Sequence, residues 1–150
     1  MRCTISTILI CFLLLLMAPS FARLRLSIRD AIDRRAVNTS LVSLGGHTGH
    51  CLELQIKNIS TDTLLIFVEP GREMVAGDSV YQNLLVTHAD SFQLVSGEET
   101  KRTLVGMCMQ MHDRSPAKDA KFSVGKMASK LLVSLAEFLS KRNYQNGAGQ

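Results

Sequence analysis

The sequence predicts a mainly β chain, an antiparallel β-sandwich with a short helix before it and an amphipathic helix after it. Three observations carry that reading. In residues 51–58 the side chains alternate, with Leu52, Leu54 and Ile56 on one side and Glu53, Gln55 and Lys57 on the other. This is the period of a strand with one wet face. Apolar, β-prone runs at 84–87, 91–95 and 103–112 are punctuated by His88-Ala89-Asp90 and Ser96-Gly97-Glu98-Glu99, the pattern of a β-meander. Finally, Met127, Leu131, Leu135, Phe138 and Leu139 recur at helical spacing.

The chain opens with Met1-Arg2, an apolar run at 8–18, and Pro19-Ser20-Phe21-Ala22. An early positive charge, a short apolar core and small residues at Ser20 and Ala22 make residues 1–22 a secretory signal peptide, with cleavage expected after Ala22. The apolar run is shorter than the roughly 18–20 residues of a spanning helix. An uncleaved anchor is the alternative, kept open by Arg23 and Arg25, and Ile10 before Cys11 argues against a lipoprotein cysteine. Residues 23–145 are then expected to form one domain, followed by a flexible tail at 146–150, and no transmembrane segment remains after cleavage.

Cleavage removes Arg2 and lowers the net charge of +4 by one. The remaining basic excess is scattered among acids, without the stripe that nucleic-acid binding needs. Of the four cysteines, Cys3 and Cys11 leave with the signal. Cys51 and Cys108 stay, and two cysteines in an exported chain invite a disulfide. Two buried thiols are the alternative, and sequence does not choose between them.

Along the mature chain, residues 26–35 read as a short helix capped by Ser27, with Leu26, Ala31 and Ile32 as a narrow apolar stripe. Residues 37–44 look extended, and Gly45-Gly46-His47-Thr48-Gly49 forms a turn. After the strand at 51–58, residues 63–69 lack alternation, which predicts a central strand covered on both faces. Pro70-Gly71 ends it, and a short run at Met74-Val75-Ala76 precedes the meander. A polar loop at 113–119 leads to the last helix, expected over residues 126–142 and packed on the sheet, with membrane-surface binding as the functional alternative. Short strands with turn signals about every 8–12 residues describe a sandwich.

Cys51-Leu52-Glu53-Leu54-Gln55-Ile56-Lys57-Asn58, residues 108–116, and Met127-Ala128-Ser129-Lys130-Leu131-Leu132 together resemble a largely uncharacterised group of small secreted bacterial proteins. Those proteins have an immunoglobulin-like β-sandwich followed by a helix. The resemblance covers residues 27–145 and implies that fold, with no catalytic signature to carry over. Members continue into a short strand containing tryptophan. This chain has no Trp, so the resemblance implies a shortened C-terminus.

The sequence contains no Gly-x-Ser-x-Gly elbow, His-Glu-x-x-His helix, phosphate-binding loop or dinucleotide fingerprint. The expectation is therefore a non-catalytic binding or structural module of the periplasm or cell exterior, with no cofactor and with a protein or cell-envelope component as partner. Soft-metal binding is the alternative, because thioethers and imidazoles suit Cu(I). Its candidates are Met109, Met111 and His112, with His47 and His50 around the Gly-rich turn. On a strand Met107, Met109 and Met111 share a face about 7 Å apart, whereas Cys108 and His112 lie about 13 Å apart on the other. The competing reading makes the methionines, with Val105, a core stripe. A small hydrolase is the third possibility, since a triad need not show in sequence. Asn38-Thr39-Ser40 and Asn58-Ile59-Ser60 match the N-glycosylation pattern and are read as chance.

Overall fold

A computed structural model describes residues 24–110 and 113–142. The expected signal peptide and the tail at 146–150 lie outside them. The order is β1 (Leu24–Ser27), α1 (Ile28–Asp33), β2 (Val37–Ser43), β3 (Thr48–Asn58), β4 (Leu64–Val68), β5 (Arg72–Ala76), β6 (Leu84–Val86), β7 (Asp90–Leu94), β8 (Glu99–Cys108), β9 (Lys121–Met127) and α2 (Lys130–Ser140). The fold is mainly β with two short helices. Six strands close into a barrel in the order β2-β3-β8-β6-β5-β9, and β1-β4-β7 form a separate three-stranded sheet.

The alternating segment forms the long strand β3, which pairs with β2 along one edge and β8 along the other. Leu52, Leu54 and Ile56 are fully buried in the core that the barrel shares with Leu64, Ile66 and Val68 of β4. β4 is central in its sheet, between parallel β1 and antiparallel β7. Only one of its faces is covered, however. Leu65 and Phe67 are half-buried, and the Arg25 guanidinium lies 5.6 Å from the Phe67 ring centre. An apolar run is thus compatible with one open face when a neighbouring cation covers it.

Three expectations are corrected. Strands β6, β7 and β8 do form within or across the runs that begin at 84, 91 and 103, with β8 ending at Cys108, but they are not a meander: β6 pairs with β8, while β7 leaves for the other sheet to pair with β4. An Arg102–Asp90 pair, with bonds of 2.8 and 2.9 Å, ties β7 back to β8. The helix expected at 26–35 is shorter. Leu24–Ser27 extends along β4 and only then does Ser27 cap α1, its Oγ accepting from the Asp30 N–H at 3.0 Å. The last helix starts at Lys130, because Lys121–Met127 is a strand. That strand pairs with both β5 and β2 and closes the barrel.

Asn58 is fully buried and saturated with hydrogen bonds. Its Nδ2 donates to the Asp62 and Leu94 carbonyls, and its Oδ1 accepts from the Ser60 N–H and Oγ–H. This side chain shapes the 58–62 loop and leaves no room for a glycan there.

Candidate functional site

The C-terminal helix is fastened to the β body at three places. The turn after β4 puts Gly71 at φ +84°, in the left-handed region. Its carbonyl accepts from the Ala128 N–H at 2.9 Å, and its N–H donates to the Val86 carbonyl at 2.7 Å. Beneath that turn the buried Arg72 guanidinium donates to both Glu69 carboxylate oxygens and, at 3.1 Å, to the Gly125 carbonyl of β9. This charge-assisted pair locks the β4–β5 turn to the strand that leads into α2. At the far end, the Ala89 N–H donates to Ser140 Oγ at 3.3 Å.

Between these anchors α2 packs through the fully buried Ala136, with Leu132, Val133 and Leu139 half-buried. A small residue at the contact lets the helix come close to the turn. Three residues of the stripe expected to pack on the sheet face outward instead, Leu131 at 80% exposed, Leu135 at 39% and Phe138 at 50%, while Leu139 packs as expected. Met127 belongs to β9 rather than to the helix. At the end of the stripe the Arg142 guanidinium stands 4.3 Å from the centre of the Phe138 ring, a cation–π contact that covers one end of the aromatic face.

A second locality gathers the sulfur and imidazole residues. Pairing of β3 with β8 sets Thr48 opposite Met107 and His50 opposite Val105, and the Cys108 N–H donates to the His47 carbonyl at 2.9 Å. The Gly-rich turn therefore lies beside the end of β8, bringing His47 and His50 to the same end of the barrel as Met109. His47 and His50 are exposed and Met109 is half-buried. Met111 and His112 lie outside the described residues. Among the described residues, no group of three or more His, Cys, Asp or Glu side chains could hold a metal ion.

Val105 and Met107 are only half-buried, so the expected methionine core stripe is corrected. The inward face of β8 carries Leu104, Gly106 and Cys108. Cys51 and Cys108 are free thiols, not a disulfide. Cys51 is the extra residue of a β-bulge between His50 and Leu52, and its Sγ lies over Gly106, 3.3 Å from where a Cβ would stand. Cys108 is two residues further along the same face, a rise of about 6.6 Å. Burial pushes the Cys51 thiol up, partly offset by backbone hydrogen bonds at Gly106 and Cys51 itself. Burial, reinforced by the neighbouring Cys51, pushes Cys108 up to about 11.

On the outer wall of the barrel, a shallow groove is lined by Asn38, Thr39, Ser40, Gln55, Lys57 and Glu99, with neither His nor Cys among them. Gln55 Nε2 donates to Glu99 Oε1 across it. Scanned against protein-family models, curated proteins and solved structures, the chain matches none. No helix among the described residues is long and apolar enough to cross a membrane.

Of these places, sequence periodicity finds the stripe on α2 but assigns it to the interior. It does not reveal the anchors Gly71, Arg72 and Ala136 as supports. Their only signal is the Pro70-Gly71 turn followed by an arginine in an otherwise apolar stretch.

Proposed function

We propose that the chain is an exported, non-catalytic binding module of the periplasm or cell exterior that docks through the outward face of α2. The observation that carries this reading is the exposure of Leu131, at 80%, on one helical line with Leu135 and Phe138. Fully covering an exposed Leu or Phe side chain is worth about 1.5–3 kcal/mol, and the fold leaves most of that gain untaken at Leu131 and a part of it at Leu135 and Phe138. Contiguous apolar surface of this kind marks interaction sites. The absence of catalytic motifs in the sequence and the export signal at 1–22 support the rest of the reading. The immunoglobulin-like assignment rests on the resemblance at 51–58, 108–116 and 127–132, and the mainly β body with a following helix supports it.

A hydrophobic dye such as anilinonaphthalene sulfonate tests the face. Native protein should enhance its fluorescence, and Leu131→Ser/Phe138→Ser should abolish most of that signal while retaining the same circular dichroism. A signal unchanged by the double substitution would place the dye elsewhere and remove the basis for the reading.

Soft-metal binding is a second reading, supported only by the backbone pairing that puts His47 and His50 at the end of the β3–β8 pair that leads to Met109. A Cu(I) competition titration checks it. One-to-one binding lost in a folded His47→Ala/His50→Ala/Met109→Leu variant supports it, and binding no tighter than a free thiol removes it.

A further inference from the structure

The outward face of α2 has a charge pattern that selects among occupants. Leu131, Leu135 and Phe138 fall on one line about 10.5 Å long at 1.5 Å rise per residue. On a helix turning about 100° per residue, Lys130 and Lys141 lie to one side of that line and the packed Leu132 and Ala136 to the other. Arg142 closes its C-terminal end, and Lys126 stands where β9 leads in. All four cations are exposed. None of them takes part in an ion pair among the described residues. Between residues 126 and 142, Glu137 is the only acid.

A second copy of the chain fits this face poorly. Two such helices side by side bring Lys130 against Lys141 and Arg142 if antiparallel, or each cation against its twin if parallel. Like charges at those separations oppose association. A neutral groove would accept the stripe and leave the cations without partners. An anionic lipid surface accepts both. The apolar line enters the boundary between headgroups and acyl chains, while the lysine stems run along it and carry their ammonium groups to the phosphates. Each cation near such a surface adds to the attraction. We infer that α2 seats the protein on an anionic membrane surface, with the helix lying along the surface and the barrel held above it. This rests on the reading of the same face as the docking site.

The chain has no tryptophan, so Phe138→Trp places a single reporter on the stripe. Because the full chain carries another apolar segment at 8–18, the readout is this local fluorophore and not co-sedimentation. In dilute full-length protein, emission should be that of exposed indole. Phosphatidylcholine vesicles containing one third phosphatidylglycerol should shift it clearly to the blue, as entry into the interface requires. Pure phosphatidylcholine should give a much smaller shift at the same lipid concentration. Lys130→Glu/Lys141→Glu should weaken the apparent affinity for the anionic vesicles at least about ten-fold. Leu131→Trp is the second reporter, used if substitution at Phe138 disturbs folding. Unshifted emission with anionic vesicles from both reporters overturns the lipid inference and leaves the docking face standing. A blue shift that grows with protein concentration without lipid does the same and names a second copy as occupant. Blue emission from the dilute protein alone would show the stripe already covered, and would overturn the inference together with the reading beneath it.

Discussion

Gly71 is packed against Val133 so tightly that a Cβ on the glycine would stand 2.9 Å from the valine Cγ2 and 3.0 Å from its Cα. The turn after β4 and the first turns of α2 therefore touch directly, with no space between backbone and helix. Gly71 is also at φ +84°, which an L side chain resists. Gly71→Ala should destabilise the protein by about 1–3 kcal/mol in urea unfolding, combining overpacking with backbone strain. Val133→Ala in the same chain should return only part of that loss, because the helix backbone stays just as near and the φ angle is unchanged.

Arg72 is almost fully buried and its ion pair with Glu69 is correspondingly shielded, with side chains 7% and 18% exposed. Removing one partner leaves the other charge in a poorly solvated place. Arg72→Met should cost about 3 kcal/mol or more, and Arg72→Met/Glu69→Gln less than that single change. A double-mutant cycle by denaturant titration measures the difference.

How far the sequence showed this fold depends on whether a pattern was local. β3 was legible because Leu52, Leu54 and Ile56 alternate with polar residues over the whole strand. The cap at Ser27 was legible for the same reason, since its partner Asp30 is three residues away. β9 carries only Phe122 and Val124 as buried apolar residues, among Lys121, Ser123 and Gly125, so its barrel-closing role rests on partners far along the chain. The departure of β7 to another sheet is equally non-local, because turn residues report that a strand ends and not which strand it joins. In α2 the periodicity was visible, yet Leu132, Val133 and Ala136 make a second apolar side next to Leu131, Leu135 and Phe138. Spacing alone does not say which side the body takes. Gly71 and Ala136 decide it by permitting close approach.

The residue after β8 and the middle of β3 offer a direct contrast in stability. Met109 is half-buried just past the end of β8, whereas Leu54 of β3 is fully enclosed. Met109→Ala should cost about 1 kcal/mol or less, and Leu54→Ala about 2–5 kcal/mol. Equal losses in thermal unfolding would return the methionines to the core.

The thiols give a pH dependence with a definite sign. Cys108 keeps its proton up to about 11 in the folded chain, against an ordinary value of 9.0. Between those values the unfolded chain holds fewer protons than the folded one, so stability should fall as pH rises from about 9 to about 11. Below pH 9 this contribution is fully present and flat. Alkylation of Cys108 in native protein, followed by peptide mass, should be slow near neutral pH and accelerate only as the thiolate forms. Cys108→Ser should make that alkaline fall shallower and leave the part that Cys51, also pushed up by burial, contributes.

Docking through α2 requires that one side of the helix serve the fold and the other stand free, and urea unfolding of two variants tests this most directly. Leu131→Ser/Phe138→Ser should leave the unfolding free energy within about 0.5 kcal/mol, as expected of surface positions. Ala136→Asp, which buries a charge against the body, should cost several kcal/mol. A loss of about 2 kcal/mol or more from the outward double substitution, matching that of a core truncation, would mean that the stripe holds the fold together and does not await a partner.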